Sequence, residues 1–331
     1  MMGKIRRLAA VLSVAVFFSA AAASQDKTEA GFADYLKSLK NEASAAGFSQ
    51  SLLDDVFADI SFRPTVVKSD KNQPERKITL DNYLETRVPD WKVKQAVDKL
   101  NEHQALLKEI GAKYGVQPRF IVALWGNESN FGRIQGSFDV LSALSSLAYE
   151  GRRETLFKKQ FMAALTILDE GHINHSDFKG SWAGAMGQSQ FMPTSFLTYA
   201  VDYNGDGKKD IWSTPADVFA SIANFLSSEG WRSEQTWGRQ VKVQQEEAFR
   251  YAGLSKNHYQ LLDSWEQLGV RRYDGSTLPS VDIKASLVMP DGPEGRIYLV
   301  YNNFHTLMKW NRSSYFGVSV GYLSDRIKRG Y

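Results

Sequence analysis

One ionisable side chain stands at the end of an apolar run, where an acid could do chemistry. Residues 118–133 read PRFIVALWGNESNFGR, and Glu128 follows a segment that is apolar from Phe120 to Trp125. Such a run predicts a central, buried helix. Burial beside Trp125 and Phe131 would raise the pKa of this carboxyl, and a carboxyl that stays protonated near neutral pH can act as a general acid. From the residues alone, a surface glutamate at a frayed helix end remains the alternative.

A glycine-rich stretch, GSWAGAMGQSQFMPTS at 180–195, has the composition of a site for a neutral polar ligand. Its glycines allow tight backbone turns and close approach of a ligand. Ser181 and Gln190 offer neutral donors and acceptors, while Trp182 and Phe191 offer flat apolar faces. Sugars suit this mixture of groups. A structural turn packed on the core is the alternative.

The segment DYNGDGKKDIW at 202–212 matches the first half of an EF-hand calcium loop. The second half departs, because Ser213 stands at the twelfth position, where a bidentate glutamate is expected. The predicted calcium ligands are Asp202, Asn204, Asp206, Lys208 through its backbone carbonyl, and Asp217. We expect a structural Ca²⁺ and no cofactor for the chemistry. A polar turn without metal is the alternative.

Three segments together carry a resemblance to a known family. WGNESNFGR, then YEGRRETLF at 149–157, then KGSWAGAMGQSQFMPTSFLTYAVDYNGDGKKDIW at 179–212 resemble, in order and spacing, the B-type lytic murein transglycosylases, glycoside hydrolase family 103. The resemblance covers nearly all of the chain after its first 23 residues. It implies a mainly α (α+β) fold: a lysozyme-like catalytic core with an accessory helical region, a small β segment and an EF-hand-like loop.

The resemblance also implies a reaction. The family cleaves the β-1,4 bond between N-acetylmuramic acid (MurNAc) and N-acetylglucosamine (GlcNAc) in peptidoglycan without water and leaves 1,6-anhydro-MurNAc ends. One glutamate acts first as acid and then as base, and the substrate's 2-acetamido group stabilises the intermediate. No second carboxylate nucleophile is then required, in contrast to ordinary retaining glycosidases.

Carried over by motif, Glu128 takes the acid/base position, and Ser181 is similar to the serine that hydrogen-bonds it. Trp310 stands where tyrosine is expected, and Phe225 and Phe316 stand where some relatives have tyrosine. Tyr315, next to Phe316, could supply the missing hydroxyl. The substrate-binding residues implied by the resemblance are Tyr83, Arg152, Arg153, Ser181, Gln190, Phe191, Phe225, Trp310, Asn311 and Phe316. Arg152 and Arg153 suit acidic peptide stems or lactyl groups.

Two other functions remain open at this point. A lysozyme-like hydrolase would use water in place of the substrate's own hydroxyl. A non-catalytic peptidoglycan-binding protein would bind murein without cutting it. Endo or exo action, stem-peptide preference, protein partners and oligomeric state are not predictable from the sequence.

The elements that must position these residues are mostly helices. Apolar residues between Val93 and Ile110 predict one long amphipathic helix, two helices lie between Asp139 and Glu170, and a final helix spans Phe316–Lys328. Lys68–Lys77 is polar and predicts a surface connection. Short strands are predicted at 241–243, 283–288 and 297–300. The predicted organisation is 1–23 signal peptide, 24–117 accessory helical region, 118–239 catalytic core with the loop 202–217, 240–301 small β segment, and 302–331 return to the core.

Composition limits the compartment and the partners. The first 23 residues have a basic start, an apolar stretch from Leu8 to Phe18 and small residues before Ser24, which is typical of a secretory signal. Without the three basic residues of this segment, 37 basic residues face 37 acidic ones, and no basic patch favours nucleic acid. The chain has no cysteine, hence no disulfide. We expect a periplasmic protein, soluble and without a membrane anchor after cleavage, whose partner is the peptidoglycan glycan strand.

Overall fold

The first part of the chain is helical. The structure is a computed structural model that describes residues 28–71 and 78–330, so the predicted signal peptide, residues 1–23, lies outside the described residues. The helices of this part are α1 (Glu29–Ala45), α2 (Gln50–Asp59), α3 (Pro64–Lys71), α4 (Leu80–Arg87), α5 (Asp90–Glu102) and α6 (Gln104–Tyr114). Thr28, Ser49 and Thr79 cap α1, α2 and α4 with side-chain oxygens that accept a backbone N–H.

Two predictions in this part are wrong. The long helix predicted from Val93 to Ile110 breaks at His103, whose backbone leaves the helical region between α5 and α6. The ring of His103 packs edge-on against Trp125 at 5.8 Å and Phe219 at 5.2 Å, which places the break against the core. The connection predicted at 68–77 is helical as far as Lys71, at the end of α3; residues 72–77 are outside the described ranges.

The central helix is α7 (Pro118–Ser129), which carries Glu128 in its last turn. Pro118 occupies the first helical position, where its missing N–H costs nothing. Every residue from Phe120 to Gly126 is buried. The helix packs against α5, α6 and two later helices, α11 and α14, as its all-round apolar surface predicts.

The remaining helices pack on α7 directly, in the case of α11 and α14, or on one another and on the larger sheet. They are α8 (Val140–Glu150), α9 (Glu154–Asp169), α10 (Pro193–Tyr199), α11 (Pro215–Ser228), α12 (Leu262–Gln267), α13 (Asn302–Trp310) and α14 (Ser314–Arg329). The two helices predicted between Asp139 and Glu170 are confirmed as α8 and α9, and the final helix is confirmed as α14. Among the described residues, no helix is long and apolar enough to cross a membrane.

Two antiparallel sheets complete the fold. The strands are β1 (Phe138–Asp139), β2 (Lys179–Gly180), β3 (Gly238–Val243), β4 (Gln260–Leu261), β5 (Val270–Arg272), β6 (Lys284–Val288) and β7 (Ile297–Val300). β1 pairs with β2, and the larger sheet has the order β4–β6–β7–β3–β5. The three predicted strands are confirmed as β3, β6 and β7, with Val241 opposite Ile297 and Leu287 opposite Leu299.

The apolar interior forms two clusters. The larger runs from Phe32 to Ile327 and joins the N-terminal helices, α7 and α14 in one core. The smaller lies in and around the sheet and includes Trp265, Leu287 and Leu299. The predicted segment boundaries stay predictions, although the separate small core lies largely within the predicted β segment.

Candidate active site

Glu128 lies where α7 ends and the chain turns sharply. Asn130 and Phe131 follow it with positive φ values of 51° and 59°, and Gln190 of the glycine-rich stretch has 50°. In the described part of the chain these are the only non-glycine residues in that region of backbone space. Such conformations cost free energy and cluster at functional sites. The strained backbone therefore marks both sequence segments that were singled out for chemistry.

Glu128 is partly buried, and within residues 28–71 and 78–330 its carboxyl has one hydrogen-bond donor. Trp310, at the end of α13, donates its indole N–H to Glu128 Oε1 at 2.6 Å. Burial raises the pKa of Glu128 to about 7, against the opposing effects of this hydrogen bond and of the charges of Arg87 and Lys92. A carboxyl with this pKa carries its proton through much of the range below neutral pH, as a general acid requires.

Trp125 and Phe131 form one apolar corner at the end of α7. Their rings meet edge to face at 5.4 Å, and both residues are buried. The indole N–H of Trp125 donates to Gln188 Oε1 at 2.7 Å. A Cβ at Gly126 would lie 2.8 Å from the ring of Phe131, so glycine is what allows Phe131 to fold back onto the helix. These contacts fix the turn that follows Glu128.

Three predicted aromatic residues form a wall beside Glu128. The ring of Trp310 lies 4.7 Å from Phe225 and 5.2 Å from Phe191, and the latter two are 6.1 Å apart. Because Trp310 also holds Glu128, the wall and the acid belong to one site. Flat rings next to a protonated carboxyl suit a pyranose ring whose glycosidic oxygen meets the acid. Phe225 also lines a cavity of about 560 Å³ that extends from the wall.

Tyr83 of α4 is the predicted residue that approaches from the N-terminal helices. Burial raises the pKa of Tyr83; the charge of Arg87 and a hydrogen bond with Ser319 oppose the rise, and the charge of Glu128 adds to it. Tyr83 is therefore close enough to Glu128 to respond to its charge. Its ring packs edge-on against Tyr315 at 5.5 Å.

The residues around the start of α14 make hydrogen bonds and packing contacts within the protein. The hydroxyl of Tyr315 donates its one proton to the Asp291 carboxylate and also lies 3.0 Å from the carbonyl oxygen of Ile78, so it does not replace a hydroxyl at Phe316 or Phe225. Phe316 is buried in the first turn of α14. Asn311 ends α13, and its side-chain oxygen accepts the N–H of Ser313 at 3.1 Å.

The glycine-rich stretch is irregular between β2 and α10, and its polar side chains make hydrogen bonds within the stretch and to neighbouring segments of the protein. Ser181 Oγ accepts the N–H of Ala185 at 3.0 Å, and Gln190 donates its amide to the carbonyls of Gln135 and Gly187. Among the described residues, no hydrogen bond joins Ser181 to Glu128, so the contact that the resemblance implied is absent here. Trp310, the departure from the family pattern, bonds the acid instead.

Arg152 and Arg153 lie in the turn between α8 and α9 and share one acidic partner. Both guanidiniums bond the carboxylate of Asp70, the buried residue near the end of α3. About half of each arginine side chain stays exposed, 54% and 40%. The pair thus has a structural partner that the sequence did not reveal, and its predicted substrate role stays a prediction.

Two carboxylates of the predicted calcium loop accept hydrogen bonds from backbone N–H groups of the same loop. Asp202 accepts the N–H groups of Gly205 and Gly207, and Asp217 accepts those of Tyr203 and Asp210, at 2.7 to 2.8 Å. Asp217 is fully buried. Burial raises its pKa against these backbone hydrogen bonds, and the charge of Asp202 adds to the rise. Two carboxylates that repel each other in this way are a favourable setting for a cation.

The geometry of that loop fits calcium only in part. Within residues 28–71 and 78–330, no group of three or more His, Cys, Asp and Glu side chains is gathered closely enough to hold a metal ion. Asp202, Asp206 and Asp217 therefore do not form one converged set. Asn204 donates its amide to Asp206 at 2.9 Å, and the backbone carbonyl of Lys208 adds a further oxygen. The donor chemistry, all oxygen, suits Ca²⁺.

Two cations near Glu128 were missed by sequence reasoning. Lys92 of α5 is 6% exposed, and both Lys92 and Arg87 at the end of α4 act on the charge of Glu128. Burial lowers the pKa of Lys92 to about 8, with the charge of Arg87 acting in the same direction and that of Glu128 opposing. No local pattern identifies these residues, because Lys92 is brought near Glu128 by the packing of α5 against α7, and Arg87 by that of α4 against α14, which also packs on α7.

A comparison with protein families gives one match over most of the chain. The family model described as Transglycosylase SLT domain matches residues 31–325. The chain belongs to this family. The resemblance to B-type lytic transglycosylases that the motifs indicated is thereby confirmed.

Curated and solved relatives agree with this membership. Membrane-bound lytic murein transglycosylase B of Escherichia coli (strain K12) is 32% identical over 229 residues, which are 69% of this chain and 61% of that protein. The aligned part thus spans less than two thirds of this relative. SltB3 of Pseudomonas aeruginosa, solved in complex with NAG-anhNAM-pentapeptide, is 39% identical, with a TM-score of 0.86 over 90% of this chain and 79% of that one.

A third relative is Slt35 of Escherichia coli, solved in complex with calcium. It is 25% identical, with a TM-score of 0.76 over 89% of this chain and 93% of that one. The predicted fold class, mainly helical with a lysozyme-like core and a small sheet, is confirmed by these structural likenesses.

Proposed function

We propose that this protein is a lytic transglycosylase that cleaves the MurNAc–GlcNAc β-1,4 bond of peptidoglycan glycan strands without water. Glu128 acts as acid and then as base. The observation that carries the proposal is the Glu128 carboxyl itself, with a pKa near neutrality and a hydrogen bond from an aromatic wall. Family membership and the ligand named for SltB3 support the same substrate class.

The first step is protonation of the leaving group. Glu128 gives its proton to the glycosidic oxygen, the C1–O bond breaks with its electron pair on that oxygen, and GlcNAc leaves with a free 4-hydroxyl. The 2-acetamido oxygen of MurNAc stabilises C1. The groups whose charges act on Glu128 are two cations, Arg87 and Lys92, and these favour the carboxylate that the step produces.

The second step returns the proton. The Glu128 carboxylate takes the proton of the MurNAc C6 hydroxyl while O6 forms a bond to C1 and displaces the acetamido oxygen. The product end is a 1,6-anhydro ring, Glu128 is protonated again, and no water is consumed. Phe191, Phe225 and Trp310 would hold the sugar rings and exclude water from C1, with Tyr83, Ser181, Gln190, Asn311 and Phe316 as further residues of the cleft.

The acid/base role is tested by Glu128→Gln. Glutamine keeps the shape of the side chain and can accept the indole N–H of Trp310, so the variant folds. It has no proton to give, and we expect release of soluble fragments from purified sacculi to fall by at least about 100-fold, the range of general acid catalysis. Release near the wild-type rate would exclude Glu128 as the acid. Murein binding without any fragments from the wild type would favour the non-catalytic alternative.

We also propose a structural Ca²⁺ in the loop 202–217, held by Asp202, Asn204, Asp206, Asp217 and the carbonyl of Lys208. When bound, the ion neutralises the repulsion between Asp202 and Asp217. The donor chemistry and the calcium named for Slt35 support this proposal. We expect Ca²⁺ to raise the thermal midpoint of wild type above its value in EDTA, and not that of Asp202→Asn. Equal midpoints for wild type in Ca²⁺ and EDTA would refute the site.

We infer that the protein is exported to the periplasm and that residues 1–23 are removed as a signal peptide. The basic start, apolar stretch and small residues of that segment support this inference. The substrate supports it too, since peptidoglycan lies outside the cytoplasmic membrane. Mass analysis of the protein purified from a periplasmic extract should give an N-terminus near Ser24; an intact N-terminus there would contradict cleavage.

A further inference from the structure

A second cavity lies between the larger sheet and the C-terminal half of α14. Its volume is about 380 Å³, and none of the predicted site residues lines it. Its charged lining is dominated by four arginines, and three tyrosine rings add flat walls. These residues are Arg239 of β3, Arg272 of β5, Arg326 and Arg329 of α14, Tyr273, Tyr298 and Tyr322.

The carboxylates near this cavity are already engaged. Asp325, which lines it, accepts bonds from Arg119 and from the indole of Trp237, both at 3.0 Å. Asp90 holds Arg326 at 2.8 Å. The charge of Arg272 acts on Asp274, but the Asp274 carboxylate accepts hydrogen bonds from the backbone N–H and the hydroxyl of Ser276.

Within residues 28–71 and 78–330, two of the arginines have neither a carboxylate nor another side chain bonded to their guanidinium, whereas Arg239 donates its Nε–H to the hydroxyl of Tyr301 at 2.5 Å. Among the described residues, neither Arg272 nor Arg329 has a carboxylate in hydrogen-bonding or ion-pairing contact. Both side chains are in exposed positions at the cavity. The planar fork of arginine matches the two oxygens of a carboxylate. The cavity therefore combines cations that have capacity for an anion with a surface that can enclose one.

The aromatic walls suit a ligand that is more than a simple ion. Tyr273 is 57% exposed, and the ammonium of Lys242 lies 5.0 Å from its ring centroid. Tyr322 lies between the guanidiniums of Arg296 and Arg326, 5.9 and 5.8 Å from its ring. Exposed rings supply apolar contact for the backbone and methyl groups of a peptide, while the arginines take its carboxylates.

Helix α14 connects this cavity to the candidate active site. Ser319 donates its hydroxyl to Asn127, the neighbour of Glu128, at 3.2 Å. Tyr322 and Arg326 follow three and seven residues later on the same face of the helix. At 1.5 Å per residue, Arg326 lies about 10 Å and Arg329 about 15 Å along the axis from Ser319. An extended peptide of five residues spans roughly 17 Å, which matches the length of α14 between Ser319 and Arg329.

We propose that this cavity binds the carboxylate-bearing stem peptide of the glycan strand that is being cut. The inference rests on the proposed peptidoglycan substrate and extends it from the sugar chain to the peptide. It predicts that the enzyme prefers strands that keep their stem peptides. The preference is carried by Arg272 and Arg329, outside the catalytic and sugar-binding residues.

The test compares two substrates and two charge-matched variants. Arg272→Ala/Arg329→Ala removes the two unpaired cations of the cavity, and Arg250→Ala/Lys256→Ala removes two exposed cations elsewhere. Each protein is assayed on glycan strands with stem peptides and on strands stripped of them by an amidase. Titration calorimetry with a free stem pentapeptide, and separately with inorganic phosphate, measures binding without cleavage.

The expected pattern is specific to one variant and one substrate. The cavity variant should show about a three- to tenfold higher KM on peptide-bearing strands, the range of two exposed charge pairs, with kcat unchanged and stripped strands affected less than twofold. The control variant should match wild type. Equal KM changes on both substrates, the same change in the control, or phosphate binding as tight as pentapeptide binding would overturn the inference. If wild type made no anhydro ends at all, the proposed function would fail. The pentapeptide titration would still decide whether this cavity binds a stem peptide.

Discussion

At the scale of the residue, the site depends on a balance of effects on one carboxyl. Burial moves the pKa of Glu128 up, and Trp310, Arg87 and Lys92 move it down, with a result of about 7. The acid is therefore protonated often enough to start the reaction, and its conjugate base is stabilised well enough to finish it. Removing Trp310, Arg87 or Lys92 should therefore raise the pKa of Glu128.

The pH dependence of kcat/KM reports this balance. Because the reaction starts from protonated Glu128, we expect kcat/KM of wild type to fall as the pH rises through about 7. Trp310→Phe removes the hydrogen bond that favours the carboxylate, so the alkaline limb should move to higher pH. Phe225→Tyr keeps that bond and should leave the limb in place. A limb that stays fixed, or moves to lower pH, in Trp310→Phe would contradict the role given to the indole.

The ionised form of the Glu128 carboxyl should lower the free energy of unfolding. Folding raises the pKa of Glu128 from 4.5 to about 7, because the folded state favours the protonated form. The stability that comes from this protonated form is fully present below pH 4.5 and is lost as the pH rises through 7. Solvent reaches part of this side chain, so we expect Glu128→Gln to raise the free energy of unfolding by about 1 to 2 kcal/mol at pH 8 and by little at pH 4.5.

Chemical denaturation at the two pH values measures this difference. Glu246→Gln removes an exposed carboxyl and serves as the control, with no gain expected at either pH. A Glu128→Gln variant that is equally stabilised at both values, or destabilised at pH 8, would show that the carboxyl is not held out of its charged form by folding.

At the scale of the element, the turn between α8 and α9 is tied to α3 by one buried carboxylate. Asp70→Asn removes the charge that both Arg152 and Arg153 hold. Because these arginines are half exposed and can return to water, we expect a loss of about 1 to 2 kcal/mol rather than the larger cost of a fully buried pair. Asp54→Asn, which breaks the exposed pair with Lys40, should leave stability close to that of wild type, because solvent screens an exposed pair. Equal losses in the two variants would mean that Asp70 has no special role.

The same elements show why sequence patterns predict some features and miss others. β3, β6, β7 and α14 have enough length for their apolar periodicity to be visible. β1, β2, β4 and β5 have two or three residues each, too few for any period. The break at His103 depends on Trp125 and Phe219, which are remote in the chain, and the burial of Asp70 depends on arginines 82 and 83 residues away. Such contacts are set by tertiary packing.

In the candidate site, too, some features were predictable from the sequence and others depend on tertiary packing. Glu128, Phe191, Phe225 and Trp310, which the family resemblance placed in one site, are neighbours in the structure. The partners of individual polar groups were not predictable. Ser181 bonds its own loop, Gln190 bonds Gln135 and Gly187, and Lys92 acts on Glu128 from a helix whose pattern is otherwise that of an ordinary amphipathic surface.

At the scale of the whole molecule, three regions of the chain are brought together around the candidate active site. The N-terminal helices supply Tyr83, Arg87 and Lys92, the central segment supplies Glu128 and the glycine-rich loop, and the C-terminal segment supplies Trp310 and α14. A single core from Phe32 to Ile327 holds them together. The function depends on this assembly, since the acid and the group that bonds it are 182 residues apart.

In the proposed reaction the bond is cut by an internal hydroxyl of the substrate and not by water. Mass spectrometry of the fragments released from purified sacculi, with wild type and Glu128→Gln side by side, distinguishes the two. We expect wild-type fragments to end in 1,6-anhydro-MurNAc, each lighter by one water than the corresponding reducing end, and Glu128→Gln to release almost none. Fragments with ordinary reducing ends would mean that the protein is a hydrolase and not a lytic transglycosylase.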